Sequence, residues 1–221
     1  NIQSGKNGRP MMQSMALAYP DDTKLVDEMQ YMLCNELLVC PIYTSSAYKR
    51  EVIFPEDTWV SLWDNTVING GEKTVVEAPY NRIPVYIRSG SVIPVQVSSK
   101  TLQLMDNSSG GKTEALVVTP AENKRELNYW KDDSTEIKFT SEKTAPGAYK
   151  ITSSGSGNPQ VIIAYGTSAK SVSVDGTALK ELSSYPVNGE IGYYIDKTNN
   201  RTTIRIESDK WSEISIENGA G

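Results

Sequence analysis

GRPMMQSMALAYPDD (residues 8–22), QYMLCNELLVCPI (30–42), FPEDTWVSLWDN (54–65) and RIPVYIRSGSVIPV (82–95) set the pattern of the first half of the chain. Each holds a short apolar run bounded by Pro, Gly, Asn or Asp, the pattern of strands separated by turns. Residues 11–19 form an apolar run of strand length closed by Pro20. Asp21 or Asp22 is placed to cap a short helix in which Leu25, Met29 and Met32 or Leu33 would share one face. Asp27 and Glu28 would then suit the N-terminal end of that helix dipole. Residues 37–42 are continuously apolar and predict a strand buried on both faces. Further strands are expected at 51–54, 59–63, 74–78, 85–88 and 91–97, with breaks at Asn69-Gly70-Gly71 and Gly90. In an extended 59–63 segment Trp59, Ser61 and Trp63 would share one face.

Residues 98–113 are poor in large apolar side chains and rich in Ser, Gly and Asn, which predicts a domain boundary near 99–101. Beyond it lie short β-type runs at 115–119, 127–130, 137–140, 149–152, 160–165, 171–174, 192–195, 202–207 and 212–216. Turn signals separate them, among them Pro146-Gly147, Asp175-Gly176 and Asn188-Gly189. Many short strands at regular spacing predict an antiparallel sandwich.

Bulk properties exclude several classes of function. The 221 residues carry a net charge of −5 and a pI near 5.0. An acidic chain does not suit a nucleic-acid partner, which needs a basic surface. No apolar run approaches the ~20 residues of a membrane-spanning helix, and no signal peptide is legible, so no compartment is assigned. A chain that starts at Asn1 is expected to belong to a longer product. There is no histidine and there are two cysteines, so Ser-His-Asp and Cys-His catalysis are absent and no zinc site or cofactor is expected. Cys34 and Cys40 read as small apolar side chains of a buried segment rather than a disulfide.

The four blocks, in this order and at this spacing, resemble the C-terminal part of glycoside hydrolase family 31. Gly8-Arg9-Pro10 and Leu17-Ala18-Tyr19-Pro20-Asp21-Asp22 fit its first block, with Gln13-Ser14 where the family usually has Arg-Pro. Gln30-Tyr31 and Leu37-Leu38-Val39-Cys40-Pro41-Ile42 fit the second, with Cys34-Asn35 in place of Gly-Asp. Residues 51–59 with Trp63 fit the third, Asp57 replacing a glycine. Ile83-Pro84, Arg88, Gly90 and Ile93-Pro94 fit the fourth throughout. Residues 99–221 are similar to the family's distal domain more loosely, through Tyr129-Trp130-Lys131-Asp132-Asp133.

The resemblance implies an all-β chain of two consecutive antiparallel β-sandwich domains. Residues 1–20 would be the remnant of the last strand of a (β/α)8 barrel, followed by one short helix. Residues 21–98 would be the proximal domain and 99–221 the distal one. It also implies the non-catalytic end of a retaining α-glycosidase acting on terminal α-linked glucose or xylose. The nucleophile and the acid/base, both Asp, would lie upstream, so no catalytic residue is expected here. The implied partners are the catalytic barrel of the same parent chain and, through it, an oligosaccharide.

Individual residues have less distinctive readings. Asp21-Asp22 reads as a helix cap and Asp132-Asp133 as a solvated turn. Arg88 reads as half of a structural ion pair, and Trp59, Trp63 and Trp130 as sandwich core. The alternative function is a carbohydrate-binding module, in which Trp130 and Tyr129 would stack on sugar rings. Asn107-Ser108-Ser109 and Asn200-Arg201-Thr202 are glycosylation sequons of the kind that arises by chance in polar loops.

Overall fold

The computed structural model describes residues 8–26, 29–104, 106, 110–132 and 134–219. Asp27, Glu28, Asp133 and the 107–109 sequon, each given a reading above, lie outside these. The chain divides into two compact units, Asn1–Ser89 and Gly90–Gly221.

The first unit contains β1 (Met12–Ser14), α1 (Met15–Ala18), β2 (Tyr31–Leu33), β3 (Leu37–Val39), β4 (Lys49–Ile53), β5 (Thr58–Ser61), β6 (Val67–Asn69), β7 (Lys73–Glu77) and β8 (Val85–Arg88). Six strands make an antiparallel sheet in the order β1-β2-β3-β8-β5-β6, and β4 and β7 pair as a two-stranded sheet. Met32, Leu38, Trp59 and Tyr86 of the larger sheet share one core with Val52 and Val76 of the smaller. Strand alternation accounts for this division: Arg50 and Val52 are buried while Lys49 and Glu51 face water.

Two expectations for this unit are corrected. The run 11–19 is not one continuous strand. Its first part pairs in register with β2, Met12 opposite Leu33. Its second part turns into α1, closed by the Tyr19 N–H donating to the Met15 carbonyl at 2.8 Å, which carries Met15 into the core. The helix expected after Asp21-Asp22 is only a 3-10 turn, Thr23–Leu25, and Asp22 caps it by accepting from the Lys24 N–H. Leu25 is buried but Met29 is exposed, so the apolar face does not continue. Gln30 then acts as a strand partner: its amide donates to the Ile53 carbonyl at 2.6 Å and accepts from the Ile53 N–H at 3.3 Å.

The β2–β3 hairpin explains why glycine is favoured at its tip. Cys34 and Asn35 have φ of +55° and +63°, and the Glu36 N–H closes the turn on the Leu33 carbonyl. Two successive left-handed residues match the twist of a hairpin, and glycine adopts them most easily. Cys34 is thus exposed at a turn rather than buried, while Cys40 is buried and its thiol pKa is pushed up to about 12 by desolvation. Both are free.

The second unit contains β9 (Val92–Ser98), β10 (Lys112–Val118), β11 (Arg125–Trp130), β12 (Glu136–Ala145), β13 (Ala148–Ser153), β14 (Val161–Tyr165), β15 (Ala169–Val174), β16 (Thr177–Ala178), β17 (Gly192–Asp196), β18 (Arg201–Arg205) and β19 (Glu213–Asn218). The sheet β17-β18-β14-β10-β9 faces the sheet β11-β12-β13-β19-β15-β16. Leu116, Val118, Ile162, Ala164 and Ile204 from the first pack with Phe139, Tyr149, Ile151, Ile214 and Ile216 from the second. Every residue of β14 (VIIAY) is buried, as a central strand covered on both faces requires. It pairs with β10 in parallel, the one parallel ladder among the described strands. The Asp175-Gly176 turn joins β15 to β16 with φ of +48° and +78°, again the twist a two-residue hairpin needs.

The boundary expected near 99–101 lies after β9. That strand pairs with β10 along its whole length, Ser98 opposite Lys112 and Val92 opposite Val118, and so goes with the second unit. No helix among the described residues is long and apolar enough to cross a membrane.

Candidate functional site

Tyr129 and Trp130 are neighbours on β11 and therefore point to opposite faces. Tyr129 faces inward, its ring 6.5 Å from that of Phe139, and packs against the core. Burial, with the Glu114 charge adding to it, raises its phenol pKa. Trp130 is half-buried on the outer face, opposite Glu136. Around it that face is polar: Glu126 pairs with Lys138 at 2.7 Å, and Asn128 is exposed. The fold does not bring the two aromatics onto one surface.

Asp132 organises the β11–β12 turn. One of its carboxylate oxygens accepts from the Ser134 N–H at 2.9 Å, the Ser134 hydroxyl at 2.9 Å and the Thr135 N–H at 2.7 Å. These bonds, those from Ser134 foremost, lower its pKa to about 2. The group is a turn cap held ionised, unsuited to protonating a leaving group.

The tryptophans divide. Trp59 lies in the first core, its indole N–H donating to the Pro55 carbonyl at 2.9 Å. Trp63 falls beyond β5, half-buried, with its N–H on the Ile83 carbonyl at 2.7 Å and the Arg82 guanidinium 5.5 Å from its ring. Trp211, which drew no attention in the sequence, is a buried member of the second core. Arg88 donates from Nε to Asp57 at 2.6 Å and lies over the Tyr19 ring. Asp57, which replaces a family glycine, thus supplies a partner for Arg88.

A second polar cluster had no signal in the sequence. The Tyr185 hydroxyl donates to Asp196, and Arg201 donates to that same hydroxyl at 2.8 Å. Asn199 donates to Asp196 from both its backbone and its side chain, at 3.1 and 2.7 Å. Burial works to raise the Asp196 pKa, but the bonds from Asn199 and Tyr185 and the Arg201 charge outweigh it, and the net shift is downward. Both carboxylate oxygens already have donors, so the cluster reads as a clasp between the 179–191 segment and the β17–β18 hairpin. Its members come from separate segments and form no motif.

The first unit carries the largest anomaly. Met11, Met12, Leu17, Val26, Met29, Tyr43, Tyr48, Val67, Val75, Tyr80 and Ile83 are exposed, Met12 at 59% and Tyr80 at 85%. Among the described residues of the second, larger unit only Ile191 is a comparable exposed side chain. Apolar residues exposed singly are ordinary; contiguous apolar patches are what mark contact surfaces. Met11 and Met12 lie next to and in β1, the edge strand of the sheet, and Leu17 in α1 just after it. Among the described residues no group of three or more Cys, Asp or Glu side chains is arranged to hold a metal ion.

Comparison with known proteins locates these features. Residues 8–93 match the family described as glycosyl hydrolase family 31 C-terminal domain. The isomaltosyltransferase of Sporosarcina globispora is 24% identical over 96% of this chain and 20% of its own length. Alpha-glucosidase 2 of Bacillus thermoamyloliquefaciens is 26% identical over 79% of this chain and 24% of its own. The cycloalternan-forming enzyme from Listeria monocytogenes, solved with a pentasaccharide substrate, superposes with a TM-score of 0.82 at 24% identity, over 98% of this chain and 21% of its own. The chain therefore spans about a fifth to a quarter of the length of these three relatives. Over residues 8–93 the chain is thus similar to the C-terminal domain of glycosyl hydrolase family 31, and the relatives that match it do so over only part of their own length.

Proposed function

We propose that this chain is the non-catalytic C-terminal region of a retaining α-glycosidase and that its first unit buttresses the catalytic barrel. The observation that carries this is the concentration of exposed apolar side chains in the unit that matches the family. Burying such a surface against a neighbouring domain stabilises both partners by roughly 25 cal/mol per Å² of apolar area. The second unit, with its own closed core, needs no such cover.

In the parent, one carboxylate would attack the anomeric carbon while a second, about 5–5.5 Å away, protonates the leaving oxygen. Asp132 is held ionised by its turn, and Asp22 is a cap on an exposed turn, so neither suits that pair. The relatives' names favour an α-linked glucosyl substrate for the parent, with α-xylosyl as the alternative. The carbohydrate-binding reading has less support, because Tyr129 packs against the core and does not share a face with Trp130.

The test is turnover of aryl α-glucoside and aryl α-xyloside by the purified chain and by a longer product that includes the barrel. The chain alone is expected to release no aryl alcohol above the buffer rate, and the longer product to cleave one of the two. Turnover by the chain alone at a rate like that of the longer product would overturn the proposal.

A further inference from the structure

Four Asn-Gly or Asp-Gly pairs lie among the described residues, at 69–70, 175–176, 188–189 and 218–219. In such a pair the glycine nitrogen can attack the side-chain carbonyl carbon of the residue before it. The attack needs a glycine N–H without a hydrogen bond, a backbone free to rotate and a side chain that is not held. Three of the pairs fail these conditions. The Gly70 N–H donates to the Asp57 carbonyl at 2.7 Å, and a Cβ on Gly70 would meet the Pro55 carbonyl oxygen at 1.9 Å, so this backbone is locked. The Gly219 N–H donates to the Ser168 carbonyl at 2.9 Å. The Asp175 carboxylate accepts from the Ser212 N–H and hydroxyl and the Glu213 N–H, at 3.0, 2.6 and 2.9 Å. Those bonds, the one from the Ser212 hydroxyl foremost, lower its pKa and keep it ionised, which makes it a poor electrophile.

Asn188-Gly189 meets the conditions. Asn188 is exposed in the connection between β16 and β17. Gly189 has φ of +85°, and no atom lies within 4 Å of the position a Cβ would take. Among the described residues neither the Gly189 N–H nor the Asn188 side chain has a hydrogen-bond partner. The flanks are anchored: Leu182 donates to the Tyr193 carbonyl at 2.7 Å, Tyr193 to the Lys180 carbonyl at 3.0 Å, and Arg205 to the Pro186 carbonyl at 2.9 Å. The tip can therefore rearrange on a fixed base.

We propose that Asn188 is a site of spontaneous deamidation, which converts this surface turn into a mixture of aspartate and isoaspartate. The Gly189 nitrogen forms a bond to Cγ of Asn188, the Cγ–Nδ2 bond breaks, and ammonia leaves with the proton from the Gly189 nitrogen. Water then opens the resulting succinimide at either carbonyl, and no oxidant or reductant is involved. Each event adds one negative charge to a chain of net charge −5. The reaction is independent of any catalytic partner.

The test is to age the intact chain at mildly alkaline pH and follow it by isoelectric focusing and peptide mass. A more acidic band is expected to grow with time. The tryptic peptide covering residues 181–197 is expected to gain one dalton several-fold faster than the peptides carrying Asn69-Gly70 and Asn218-Gly219. Asn188→Gln, which would have to close a larger ring, is expected to lose the gain at that peptide, and Gly189→Ala to slow it. A gain at 181–197 no faster than at the other two peptides would overturn the proposal, as would an undiminished acidic band in Asn188→Gln.

Discussion

Gln13→Arg alone is expected to destabilise the first unit by about 3 kcal/mol, and adding Asn35→Asp is expected to return most of that loss. Both positions depart from the family pattern, which has arginine at the first and aspartate at the second. The structure joins the two departures: Gln13 Nε2 donates to Asn35 Oδ1 at 2.9 Å and also reaches the Pro10 carbonyl at 3.2 Å. Gln13 is 2% exposed. A neutral amide pair thus occupies the place where the family pattern would set a guanidinium against a carboxylate. An arginine placed there alone is a buried charge facing a neutral acceptor, which is costly; with Asn35→Asp introduced opposite it, the charges pair. Asn35→Asp alone is expected to cost about 1 kcal/mol, because Asn35 is only half-buried and Gln13 still donates to it. The check is a double-mutant cycle on the unfolding free energy of the first unit. Additive losses would show that the two positions are not coupled.

The second unit is expected to lose about 3–5 kcal/mol in Trp211→Ala, the range of a large aromatic deletion from a packed core. Trp211 is 1% exposed and stacks on Phe139, with ring centroids 6.1 Å apart and planes 29° from parallel. Its indole N–H donates to the Pro159 carbonyl at 3.0 Å, and its own carbonyl accepts from Asn158 at 2.8 Å. The residue thus links the 158–159 turn to the core as well as filling volume. Trp211→Phe keeps most of the packing but leaves the Pro159 carbonyl unpaired, so a loss of about 1–2 kcal/mol is expected. Calorimetry of the two variants checks the order; equal losses would mean that the hydrogen bond, not the packing, dominates.

Much of the fold is legible from local rules. The apolar run at 85–88 and the turn pairs Pro146-Gly147 and Asp175-Gly176 mark strands and hairpins correctly because burial and backbone twist act over a few residues. What escapes depends on distant partners. Residues 15–18 are as apolar as a strand, and only the core site for Met15 makes them a helical turn. Gln30 looks like part of a helix until Ile53, 23 residues on, takes both of its hydrogen bonds. The Ser- and Asn-rich stretch after Ser98 looks like a boundary, yet β9 is claimed by β10 beyond it. For the candidate site, the apolar character of residues 11–17 is visible in the sequence but their exposure is not. Asp133 of the Tyr129–Asp133 segment lies outside the described residues. The Tyr185–Asp196–Arg201 clasp is assembled from segments that share no spacing rule.

Hydrogen exchange of residues 11–17, measured in this chain alone and in a longer product that carries the barrel, tests whether the first unit buttresses the barrel. If the first unit buttresses the barrel, exchange around Met11, Met12 and Leu17 slows in the longer product, while the second core, around Tyr149 and Ile214, is unchanged. Equal exchange at 11–17 in both proteins would show that the barrel does not cover this edge of the first unit.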